Sequence, residues 1–109
     1  MTAEKNQCTY CASAHTKVAT GTGLSEEEVI NIRRRQSGDP KIQALINFTA
    51  EAVDSAGNVS DATLQAFMDA GYSTEAAIEV VAGISVMTFT SFYNHINDTE
   101  VDFPTIPKL

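Results

Sequence analysis

Apolar residues along this chain recur at the three- and four-residue spacing of α-helices, and turn signals interrupt them about once every dozen residues. No segment alternates apolar and polar residues at every second position, which is the pattern of a half-buried strand. The pattern therefore predicts an all-α fold with five helices. At 109 residues the chain has the length of one domain, and we expect residues 1–109 to share a single core.

Capping residues and glycines mark where these helices begin and end. Ser25 and Glu28 have the spacing of a capping box, and Asp39 followed by Pro40 is a typical helix start. A glycine follows each of the first four helices, as at many helix C-termini. The predicted helices run from about Cys8 to Thr20, from Ser25 to Gln36, from Asp39 to Ala56, from Ser60 to Gly71, and from Ser73 or Thr74 to Asn97.

Three of these helices carry apolar faces that predict how they pack. The inward residues are expected to be Ile42, Leu45, Ile46, Thr49, Ala52, Val53 and Ala56 on the third helix and Leu64, Phe67 and Met68 on the fourth. The fifth helix is apolar nearly all round, so it lies either centrally in a core or against another subunit. In a domain this small we expect a subunit interface. The tail Thr99–Leu109, which contains two prolines, is expected to pack as an extended strap.

The net charge and the polar residues within the longest apolar stretch argue against some classes of protein. Fourteen acidic and seven basic residues give a net charge of −7, which argues against binding to nucleic-acid phosphates. The start of the chain has no apolar signal region, and the longest apolar stretch, around Ala76 to Met87, is broken by Glu79, Gly83 and Ser85. We therefore expect a cytoplasmic protein that neither enters a membrane nor binds nucleic acid.

Candidate chemistry is concentrated in one run, Cys8-Thr9-Tyr10-Cys11-Ala12-Ser13-Ala14-His15, which holds both cysteines and one of the two histidines. On a helix, Cys8 and Cys11 are related i, i+3 and Cys11 and His15 are related i, i+4, so all three share a face. A helix N-terminus, a neighbouring base and C-x-x-C geometry each favour the reactive thiolate. The motif therefore favours thiol redox chemistry, with one cysteine attacking, the other resolving and His15 transferring the proton.

Two other interpretations of the same run stay open at this point. Cys8, Cys11 and His15 are also three potential zinc ligands, with His95, Asp98 or a neighbouring subunit as a fourth. Alternatively, the cysteines are small buried apolar residues and His15 is a hydrogen-bonded core histidine. His95 taken by itself is interpreted as structural.

The order of motifs resembles the carboxymuconolactone decarboxylase and alkyl hydroperoxidase D-like family, from about Lys5 to Phe103. The residues that carry the resemblance are the C-x-x-C-x-x-x-H run, Ala19, Gly23-Leu24-Ser25-Glu26-Glu27-Glu28-Val29, Val59-Ser60-Asp61, Ala70-Gly71-Tyr72 and Tyr93-Asn94-His95-Ile96. The cysteine pair resembles the hydroperoxidase branch, because the decarboxylases generally lack it. Members of the family are all-helical and form trimers or hexamers.

By this resemblance Cys11 is the peroxidatic thiol, Cys8 is the more exposed resolving thiol that exchanges with a reductant, and His15 is part of the proton relay. The sequence departs from the family at Tyr10, where the best-studied pattern has a histidine. It also begins seven residues before Cys8. The N-terminal helix of the family, which carries a glutamate as proton acceptor, is therefore expected to be absent, and Glu4 is too near Cys8 to replace that glutamate.

The resemblance implies a thiol-dependent hydroperoxide reductase with peroxiredoxin activity that needs no bound cofactor and no metal. Its expected partners are a hydroperoxide substrate, an external dithiol reductant or peroxiredoxin-like protein, and further copies of the chain in a homotrimer or homohexamer. One alternative is a non-catalytic oligomeric module of the same fold. The other is a decarboxylase-like enzyme acting on a small lactone acid with His15 or His95 as its base.

Overall fold

The computed structural model describes residues 1–104 and 106–109, and within them it contains six helices and no strand. The helices are α1 (Thr2–Lys5), α2 (Thr9–Gly21), α3 (Glu26–Arg33), α4 (Pro40–Asp54), α5 (Asp61–Asp69) and α6 (Thr74–Ile96). The predicted all-α class is confirmed, and α2 to α6 correspond to the five predicted helices. The short α1 was not predicted, because four residues are too few to show a helical period.

Side chains cap the helices where the sequence indicates. Ser25 and Glu28 form the expected capping box, and Asp39, Ser60 and Ser73 accept backbone N–H groups at the starts of α4, α5 and α6. These bonds satisfy amide groups that have no partner inside the helix.

The predicted C-terminus of α3 at Gln36 is too late. The helix ends at Arg33, and Arg35 has a left-handed backbone conformation with φ +67°. From that position the Arg35 guanidinium donates to the Asp54 carboxylate, which Lys5 also pairs. These two cations hold the pKa of Asp54 at about 2 and connect α4 to α3 and α1.

A stack of three aromatic rings joins α4 to α5. Phe67 is fully buried between Phe48 and Tyr72, with ring centroids 4.3 and 4.6 Å away. Leu64 and Met68 are exposed, so the prediction that they face inward beside Phe67 is wrong for the single chain. The helical period shows which residues share a face of α5, but it does not show that Phe67 alone is buried on that face.

The expected stripe on α4 is only partly buried. Ile46 and Ala52 are buried as predicted, whereas Ile42 is exposed and Ala56 lies beyond the end of the helix. Phe48 and Ala50, outside the predicted stripe, are buried as well. The reason is that α4 packs against α5 on one side and against α1 and α6 on the other, so it has two buried faces instead of one.

The long helix α6 packs against α1, α2 and α4 but leaves most of its apolar surface uncovered. Within α6, all of which the structure describes, Ser91 is the one buried residue. The exposed apolar residues are Ile78, Val81, Val86, Phe89, Phe92, Tyr93 and Ile96. A central position in the core of this chain is therefore excluded for α6. By length and composition alone, α6 is also the one helix in residues 1–104 and 106–109 that could cross a bilayer.

The tail after α6 forms no helix in its described residues and packs back against α2, as expected for a strap; Thr105 lies outside the described residues. The Phe103 ring contacts Tyr10 edge-on at 5.3 Å, Ile106 packs against the start of α2, and the Pro107 carbonyl accepts from Arg33. The tail thereby covers the segment that carries the cysteines.

We expect Phe67→Ala to lower the free energy of unfolding by about 3–5 kcal/mol, because it leaves a cavity between two aromatic rings. Met68→Ala is the matched control on the same helix, and its side chain is exposed, so its cost should stay below about 1 kcal/mol. Chemical denaturation followed by circular dichroism measures both. Equal losses for the two variants would contradict the assignment of this core.

Candidate redox site

The two cysteines form a disulfide, Cys8–Cys11, at the beginning of α2. Their Cα atoms are 5.3 Å apart, within the range that a disulfide spans without moving the backbone. Cys8 is the N-cap of α2, and its sulfur accepts the N–H of Cys11 at 3.2 Å. The C-x-x-C motif is therefore a closed redox pair at a helix N-terminus, where partial positive charge favours a thiolate.

A tight turn between α1 and α2 positions Cys8. Gln7, just before it, has φ +54°, a left-handed conformation that non-glycine residues adopt at some cost. The turn is held by hydrogen bonds from Cys8 N–H to the Ala3 carbonyl and from His95 Nε2 to the Asn6 carbonyl, each 2.9 Å long. His95 thus joins α6 to this turn, in agreement with its interpretation as a structural residue.

Both sulfurs are shielded from solvent by the surrounding helices and the tail. Cys8 is 3% exposed and Cys11 is 2% exposed, so the two differ little in the oxidised chain, and the greater exposure expected of Cys8 stays a prediction. The two differ instead in what lies beside them. Cys8 lines a cleft of about 600 Å³ between the start of α2 and the tail, which we call the strap cleft.

Cys11 faces α6. The Ser91 hydroxyl donates to its sulfur at 3.6 Å and the Asn94 amide donates at 3.4 Å. These two donors lie 80 and 83 residues away in the sequence, and neither was predicted as a site residue. No local signal distinguished them, because α6 carries other polar residues such as Ser85, Thr88 and Thr90. Donors aimed at a sulfur stabilise its negative charge when the disulfide opens.

His15 lies one turn after Cys11, but its ring does not contact the sulfur in this structure. Its Nδ1 is 2.9 Å from the Cys11 carbonyl oxygen. A carbonyl only accepts, so Nδ1 carries the proton and Nε2 is the basic nitrogen of the neutral ring. His15 also lines an open apolar cavity of about 480 Å³ among α1, α2, α3, α4 and α6. His15 thus bonds the backbone of Cys11, whereas the Cys11 sulfur accepts from Ser91 and Asn94.

Glu4 lies beside the site on α1, where it pairs with Arg33. The Arg33 Nε donates to the Glu4 carboxylate at 2.6 Å, and the guanidinium is buried below the tail. Glu4 therefore helps to fix Arg33 next to the cysteines. In residues 1–104 and 106–109, no group of three His, Cys, Asp or Glu residues is arranged to hold a metal ion.

The chain matches no model of a known protein family, no curated protein and no solved structure. The family resemblance seen in the sequence stays a prediction. What can be said of function follows from the disulfide, the two donors on Cys11 and the cleft at Cys8.

Removing the donors from Cys11 should make its thiolate harder to form in the reduced protein. We expect Ser91→Ala and Asn94→Leu each to move the midpoint of the thiolate absorbance titration upward, by about half to one pH unit. Thr90→Ala is the matched control, since Thr90 donates to the Met87 carbonyl on the same helix. A midpoint that stays unchanged in both variants would show that α6 does not act on Cys11.

Proposed function

We propose that this chain is a thiol-dependent hydroperoxide reductase, in which Cys11 is the peroxidatic thiol and Cys8 the resolving thiol. The observation that carries the proposal is the Cys8–Cys11 disulfide, whose two sulfurs have different surroundings. Cys11 Sγ receives two hydrogen bonds from α6, and Cys8 lines an open cleft. An attacking thiolate needs hydrogen-bond donors beside its sulfur, as at Cys11. Exchange with an external reductant needs an open approach, as the cleft gives at Cys8.

In the first step the Cys11 thiolate attacks one oxygen of the hydroperoxide. The oxygen–oxygen bond breaks, Cys11 becomes a sulfenic acid, and the other oxygen leaves as an alcohol or water after taking up a proton. Ser91 and Asn94 stabilise the thiolate before attack. His15, with Nε2 as its basic nitrogen, is the nearby group that exchanges the proton.

In the second step the Cys8 thiol attacks the Cys11 sulfenic acid. The disulfide forms and water leaves, which gives the oxidised state that the structure describes. In this oxidised state the Cα atoms of the two cysteines are 5.3 Å apart. An external dithiol then restores both thiols and leaves as a disulfide.

Single cysteine variants test the order of these steps under limiting peroxide. Cys8→Ser should let Cys11 form a sulfenic acid that dimedone traps, because no resolving thiol remains. Cys11→Ser should leave Cys8 nearly inert. His15→Ala should slow the first step at least about tenfold without preventing chemical oxidation of the pair to a disulfide.

Mass spectrometry of the trapped protein distinguishes these cases, with the double cysteine-to-serine variant as background. Trapping of Cys8 in Cys11→Ser at the rate seen for Cys11 in Cys8→Ser would reverse the assignment. A failure of the unmodified, reduced chain to consume peroxide above that background would refute the proposed function.

We further propose that the exposed apolar face of α6 is the subunit contact of a cytoplasmic homotrimer or homohexamer. Its support is the run of exposed residues on α6, since a patch of this kind marks an interaction surface. Phe92, 57% exposed, lies on this face. Phe92→Glu should dissociate the assembly in light scattering, whereas the control Glu75→Gln at the start of α6 should keep it intact. A monomeric unmodified chain, or one that sediments with lipid vesicles, would contradict this contact.

A further inference from the structure

Two buried polar atoms of residues that line the strap cleft lack a hydrogen-bond partner among the residues that the structure describes. They are Ser13 Oγ on α2 and Arg33 Nη1 on α3. Both side chains are more than nine-tenths buried, and both residues line the strap cleft together with Cys8. Leaving such groups unpaired is costly, so a pair of them in one cleft points to a ligand that accepts hydrogen bonds.

The hydrogen bonds of the Arg33 guanidinium show which of its nitrogen atoms has no partner. Nε donates to Glu4 and Nη2 donates to the Pro107 carbonyl, 2.6 and 2.8 Å away. Nη1 is the remaining nitrogen. Glu4 balances the charge of Arg33, and Lys108 lines the same cleft.

We propose that the strap cleft is a carboxylate-binding site for the reductant, and that this reductant is a small thiol bearing a carboxylate. The carboxylate accepts from Arg33 Nη1 and Ser13 Oγ, while the thiol of the same molecule reaches Cys8. The inference rests on the proposed function only in requiring a disulfide that an external thiol can reduce. It adds the chemical class of that thiol.

The exchange step balances within these groups. The thiolate of the bound reductant attacks Cys8 Sγ, a new sulfur–sulfur bond forms, and the Cys8–Cys11 bond breaks. The electron pair of the broken bond leaves on Cys11, whose thiolate Ser91 and Asn94 stabilise. A second reductant thiolate then attacks the reductant sulfur, so that the reductant departs as its disulfide and both cysteines are reduced after taking up two protons.

Paired thiols that differ only in the carboxylate test this site. We compare the rates at which mercaptopropionate and mercaptopropionamide reduce the oxidised full-length chain, at equal thiolate concentration. Each rate is divided by the rate with a neutral small-molecule disulfide, which removes differences in intrinsic nucleophilicity. The net negative charge of the protein alone would make the carboxylate thiol slower. We expect it to be at least about tenfold faster, the size of one charge-assisted hydrogen bond.

Variants distinguish a role of the cleft residues in binding from a general effect on the fold. Ser13→Ala should lower the rate ratio about threefold and Arg33→Gln should bring it to about one or below, as expected for losing a neutral or a charged donor. Arg35→Gln is the matched control, because Arg35 pairs with Asp54 on the surface and should leave the ratio unchanged. Ser13→Ala keeps the test valid if Arg33→Gln does not fold, since it removes one buried hydroxyl and no charge.

The outcomes separate this site from the proposed peroxidase activity. A ratio near or below one in the unmodified chain, or a ratio that Ser13→Ala and Arg33→Gln leave unchanged, overturns the carboxylate site. A chain that prefers the carboxylate thiol but does not consume peroxide supports the site while refuting the peroxidase. A disulfide that resists mercaptopropionate and dithiothreitol alike overturns both.

Discussion

The contact between the first turn of α2 and one face of α6 determines the surroundings of the Cys8–Cys11 disulfide. Ser91 is completely buried there, and with Asn94 it donates to the sulfur of Cys11. A buried hydroxyl needs a partner, so this contact fixes the rotation of α6 against α2. The same helix also holds the tight turn after α1, because His95, four residues after Ser91 on α6, donates to the Asn6 carbonyl.

That rotation explains the uneven surface of α6. With the small polar face of the helix directed at α2, the larger apolar faces are directed away from the chain, and Phe89 is 72% exposed. The single chain therefore has two small buried clusters, the aromatic stack around Phe67 and the group of Ala3, Cys8, Cys11 and Ala12, and an apolar cavity between its helices. While Ser91 donates to Cys11, these apolar faces of α6 stay directed away from the other helices and exposed in the single chain.

Local signals predicted the helices, and non-local contacts account for most of what the sequence could not show. Ser25, Asp39 and Ser60 mark helix starts because a cap acts within three residues of its own position. The same locality made Cys8, Cys11 and His15 visible as a unit. Ser91 and Asn94 meet Cys11 only after the chain has folded. The direction of His15 Nδ1, toward a carbonyl instead of a sulfur, also depends on a rotamer that spacing does not determine.

The two sulfurs of the disulfide have different surroundings, and this difference sets the direction of the proposed exchange reaction. A thiol–disulfide exchange proceeds fastest when the attacked sulfur is accessible and the leaving sulfur is stabilised as a thiolate. In this chain Cys8 borders the strap cleft, and Cys11 is held by two donors on the opposite side. In the proposed reaction, reduction through Cys8 therefore leaves the thiolate on Cys11, beside the Ser91 and Asn94 donors that stabilise it.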